Sequence, residues 1–115
     1  MKSQVASSGN VAAATATATF AAVATMRWYI TGFTVTVGGA TALTAVDGTI
    51  TGLMGGTMAF PVFFPTGATL PGTDKTVTFR PPIPASGVNT AVVLSVPSGG
   101  VGNTKSTVNL FGYLG

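Results

Sequence analysis

Histidine, cysteine and glutamate are absent from this 115-residue chain, and only two carboxylates occur, Asp47 and Asp74. Each absence excludes a class of chemistry. General acid–base catalysis at neutral pH calls for histidine or a tuned carboxylate. A nucleophilic hydroxyl needs a base beside it, and metal centres need clustered His, Cys or carboxylate ligands. Without cysteine there is no disulfide framework. The expectation is a protein that is not an enzyme and that carries no cofactor and no metal.

Charge is scarce as well. Charged residues make up 6% of the chain, against roughly 25% in ordinary soluble domains. A monomer so poor in charge resists aggregation badly, so much of its surface is expected to be covered by copies of itself or by a partner. The net charge of +3 comes from Lys2, Arg27, Lys75, Arg80 and Lys105 offset by the two aspartates. Nucleic-acid binders gather such residues into a stripe; here they form no run, so no nucleic-acid partner is expected. Long apolar runs are missing too. The uncharged stretch from Ser3 to Met26 holds Gln4, Ser7, Ser8, Asn10 and several threonines, too polar to span a membrane, and its Ala-Thr middle lacks the leucines of a signal peptide.

What is present has a period of two. Phe33, Val35 and Val37 point one way, Thr34 and Thr36 the other. Trp28 and Ile30 have the opposite parity, so a β-bulge is expected at Thr31-Gly32. Leu43–Val46 and Thr49–Leu53 flank Asp47-Gly48, a hairpin-turn signal. Thr57–Phe64 follows Gly55-Gly56. Thr76–Arg80 alternates, with Val77 and Phe79 inward, and Pro81-Pro82 is expected to stop it. Asn89–Val96 and Ser106–Leu114 complete the series. No window forms a convincing amphipathic helix. The fold class is therefore all-β, an antiparallel β-sandwich with jelly-roll-like topology and an extended N-terminal arm. Residues 1–25 are the arm or an edge strand, and 26–115 the sandwich. The small side chains of the arm cannot build a core, so it is expected to pair with a sheet edge, either of its own chain or of a neighbour; in the second case it tethers the sandwich, with Phe20 as its apolar anchor.

The sharpest motif is Phe60-Pro-Val-Phe-Phe-Pro65. Met58, Phe60, Val62 and Phe64 make one apolar face, yet Ala59, Pro61 and Phe63 make the other apolar as well. A strand with one solvated side alternates, so two apolar faces imply a second burial, and Pro61 implies a sheet edge. Either a loop covers the outer face or a partner does. On this basis Phe20, Ala59, Pro61 and Phe63 are the candidate protein-interface residues. Trp28, Tyr29 and Tyr113 suit a core, with stacking on sugar rings as the alternative.

Five segments carry a resemblance: Thr49-Ile-Thr-Gly-Leu-Met-Gly-Gly-Thr57, Phe79-Arg-Pro-Pro-Ile-Pro-Ala-Ser86, Asn89-Thr-Ala91, Gly102-Asn-Thr104 and Phe111-Gly-Tyr113. Over about residues 28–113 the chain resembles small bacteriophage virion proteins, in particular capsid decoration (cement) proteins. The resemblance implies a jelly roll that sits as a homotrimer on the capsid of the virion and clamps the major capsid protein or another virion protein. A fibre, spike or adsorption module binding host-surface glycans, or a tail or capsid building block, is the alternative.

Overall fold

The computed structural model describes residues 2–67 and 70–115. Eight strands are formed: β1 (Gln4–Ser7), β2 (Ala16–Phe20), β3 (Trp28–Gly38), β4 (Thr44–Leu53), β5 (Gly56–Phe64), β6 (Pro71–Pro84), β7 (Val92–Val96) and β8 (Ser106–Leu114). They make two four-stranded sheets, ordered β1-β8-β3-β6 and β2-β7-β4-β5, with every strand pair antiparallel. The protein is an all-β sandwich. Its pairings are nested: β4 with β5, β3 with β6, β2 with β7, β1 with β8.

Alternation decides which side chains meet between the sheets. Phe33, Val35, Val108 and Leu110 from the first sheet, and Ile50, Val62, Phe64, Val92, Leu94 and Val96 from the second, are almost fully buried. Burying each such side chain contributes roughly 1.5–3 kcal/mol. The parity switch in β3 is met as expected. The register shifts between Ile30 and Gly32 against both neighbours, which lets Trp28 and Ile30 share the inner face with Phe33.

Three expectations are overturned. Asp47-Gly48 is not a turn: β4 runs straight through it, pairing Asp47 with Pro61 and Gly48 with Phe60, and the hairpin closes instead at Met54-Gly55. The glycine serves a ring. A Cβ at Gly48 would lie 2.4 Å from Phe60 Cε2, so only glycine lets that ring fold across the strand. Nor do Pro81-Pro82 end their strand. β6 is the outer strand of its sheet, where a residue without an N–H is tolerated, and residues 79–82 bulge opposite Thr31 before pairing resumes at Ile83.

The third correction concerns Phe20 as an outward anchor. Of the two forms expected for residues 1–25, arm or edge strand, the described segment takes the second. Gln4–Ser7 pairs with β8, and Ala16–Phe20 pairs with β7 in continuous register. The alternation seen in the sequence buries Ala16, Ala18 and Phe20 and exposes Thr17 and Thr19. Phe20 stacks on Trp28 with ring centroids 4.1 Å apart, and the Trp28 indole Nε1 donates to the Ala21 carbonyl at 2.9 Å. The anchor sits in the chain's own core.

Candidate functional site

Two ends and two outer faces remain to meet a partner. One end collects the loops 8–15, 39–43 and 97–105 together with residues 65–67 and Leu70. They are knitted together by backbone bonds: Ala13 N–H to the Asn103 carbonyl, Thr41 N–H to Val101, Ala40 N–H to Pro65 and Gly67 N–H to Ala40. Beneath them lie two buried polar side chains. Ser106 Oγ donates to Asn103 Oδ1, and Asn103 Nδ2 donates to the Lys105 carbonyl, both at 3.2 Å. A buried amide satisfied in this way costs little and fixes the loop.

This framed end presents apolar side chains to water. Leu43 is 75% exposed, Val101 82% and Leu70 50%. Phe63 joins them from the outer face of β5, opposite Ala45, at 54% exposure. At the same end, a depression of about 420 Å³ is lined by Thr36, Val37, Gly38, Leu70, Pro71 and Thr107, with Lys105 and Thr104 beside them.

The four expected interface residues therefore separate. Ala59, Pro61 and Phe63 share the outer face of β5 and are all exposed. Pro61 does lie on a sheet edge, since β5 is an outer strand. Phe20 is buried and belongs to no outer surface. Sequence reasoning missed Leu43, Leu70 and Val101, because residues in loops have no periodicity to violate. A signal existed for two of them: Val101 stands between turn formers in Gly100-Val101-Gly102, and Leu70 precedes Pro71-Gly72.

The outer face of the first sheet has another character. Tyr29 and Tyr113, directly opposite each other on β3 and β8, stack with centroids 5.3 Å apart. Next along β8 come Phe111 and Asn109, whose Nδ2 donates to Thr34 Oγ1 at 3.0 Å. Cross-strand neighbours place Ser7, Asn109, Thr34 and Thr76 in one row. Of the three aromatics expected in the core, Trp28 lies there, whereas Tyr29 and Tyr113 are half-buried on the outer face.

Among the described residues no three His, Cys, Asp or Glu side chains come together, and no helix is long and apolar enough to cross a membrane. No protein-family model, curated protein or solved structure matches the chain.

Proposed function

We propose that this chain is a non-enzymatic structural protein of a bacteriophage virion, a capsid decoration protein that acts by covering the surface of neighbouring capsid subunits. The observation that carries the reading is the apolar end formed by Leu43, Phe63, Leu70 and Val101 on a chain of only seven charged residues. Exposed apolar side chains grouped in this way mark an interaction surface; Met26, Met54 and Val88 form a second exposed group in the loops of the opposite end. Each Å² of apolar surface removed from water there contributes roughly 25 cal/mol, less the cost of immobilising the protein.

The strand order supports a jelly-roll topology. Nested pairs β4–β5, β3–β6, β2–β7 and β1–β8, split between two sheets, are what a long hairpin rolled upon itself produces. Jelly rolls recur among viral capsid domains and also among lectins, which is support by analogy of fold alone. The lectin side of that analogy has its own observation, the Tyr29–Tyr113 pair beside Asn109, which favours a glycan-binding adsorption module as the second reading.

One comparison tests both. Phe63→Asp and Val101→Asp change exposed side chains, so the fold is expected to survive. Cosedimentation with capsids lacking the protein should fall at least tenfold for the pair of substitutions, about 1.4 kcal/mol. Unchanged capsid binding would overturn the decoration reading. Glycan binding lost in Tyr113→Ala would put the second reading in its place.

A further inference from the structure

Two open sheets have four edges, and an edge is a row of unpaired N–H and C=O groups that other strands can join. Three of the four are blunted. β6 carries Pro71, Pro81, Pro82 and Pro84 with Lys75 and Arg80, and its register is broken twice. β5 carries Pro61, and its Phe63 N–H is taken by Thr73 Oγ1 at 2.8 Å. β1 is only four residues long.

β2 has none of these protections. Its sequence, Ala16-Thr-Ala-Thr-Phe20, contains no proline and no charge, and its register against β7 is unbroken. Among the described residues, its backbone makes no hydrogen bond besides the β7 ladder. No charged residue occurs between Lys2 and Arg27. Native proteins rarely leave an edge so unguarded unless it is used.

We infer that the free edge of β2 pairs with β2 of a second copy of this chain, antiparallel, about a two-fold axis through Ala18. The strand is nearly its own complement in that arrangement. Thr17 lies opposite Thr19 of the partner subunit, Ala18 opposite its counterpart, and Ala16 opposite the partner subunit's Phe20. The parity is kept: the exposed threonines stay on the outer face and the alanines on the inner. Threonine pairs across strands are favourable, and two copies with net charge +3 meet here without a like charge. The two second sheets then become one sheet of eight strands. Its outer rows run Thr17, Ser95, Thr49, Ala59 on either side of the axis. This names the self-association partner within the assembly reading and rests on that reading. It yields a dimer, where the resemblance to decoration proteins implies a trimer.

The test is sedimentation equilibrium of the full chain with two charge variants at exposed positions. Thr17→Lys with Thr19→Lys sets lysine opposite lysine twice and should weaken the dimer at least about tenfold. Thr17→Lys with Thr19→Glu sets lysine opposite glutamate and should restore it. A wild-type chain that stays monomeric at its highest soluble concentration, a trimer, or a dimer indifferent to the double lysine overturns the inference. If the double-lysine variant fails to fold, amide exchange of the wild type decides. Protection at residues 16–20 that rises with protein concentration supports the pairing, and protection independent of concentration overturns it. Cosedimentation with capsids is read separately: a monomeric wild type that binds capsids removes the edge pairing and leaves the assembly reading standing.

Discussion

At Gly48 a residue that reads as a turn in the sequence is required for a different reason. Asp-Gly between two apolar segments is ordinarily a hairpin, and nothing local distinguishes this instance. The deciding contact is the Phe60 ring, paired across the strand and stacked on Phe33 at 5.0 Å. Phe64 and Gly99 repeat the device, since a Cβ at Gly99 would lie 2.5 Å from the Phe64 ring. Gly48→Ala is therefore expected to destabilise the fold by about 1–3 kcal/mol through overpacking. Urea titration measures the loss, and Phe60→Leu in the same chain should recover part of it. A neutral Gly48→Ala would mean that the ring moves aside freely. Phe63 was the more legible residue: its parity alone placed it opposite Phe64, on the outside, where the structure has it.

At the scale of elements, each strand over residues 28–114 was visible at least in part, although β4 was read as two strands parted at Asp47-Gly48, and the bulge in β3 appeared as a change of parity. What alternation does not encode is the identity of a strand's neighbour. The Ala-Thr segment carried the right pattern, but its small side chains left open whether it sealed its own chain or reached a neighbour. The structure seals the core with it, because Ala16 and Ala18 permit close packing and Phe20 fills the space beside Trp28. Deleting residues 1–19 removes β1 and most of β2 and uncovers the flank of β7 and β8. The truncated chain is expected to show no cooperative thermal transition by circular dichroism. A sharp native-like melt would show that the six remaining strands suffice. Likewise β6 was cut short in the reading of the sequence, since a Pro-Pro pair says where a ladder bond is missing but not that the strand lies at an edge.

The whole molecule is a rod of 45 × 20 × 20 Å. Its apolar end, its hydroxyl-rich faces and its lone edge were only partly legible, because they depend on which loops converge. Loop convergence follows from topology, which the turn residues alone do not determine. Composition speaks more directly at this scale. With no histidine, cysteine or glutamate, the chain has no side-chain type that ordinarily titrates near neutrality. The unfolding free energy is therefore expected to change by less than about 0.5 kcal/mol between about pH 5.5 and 7. Urea titrations at the two pH values check this. A steep slope would reveal a titrating group that composition does not explain.

The nesting of the strand pairs also governs how the chain is made. β8 is the last strand in chain order, yet it lies inside the first sheet, between β1 and β3. During synthesis, β4–β5 and then β3–β6 can close as they emerge, while β1 waits for a partner some hundred residues away. At about 5–20 residues per second that wait lasts roughly 5–20 s. Throughout it the ribosome holds a nascent chain whose central strand does not yet exist and which has few charges to keep it soluble. The inner hairpin can form first, and β8, once it emerges, supplies the partner that β1 lacks.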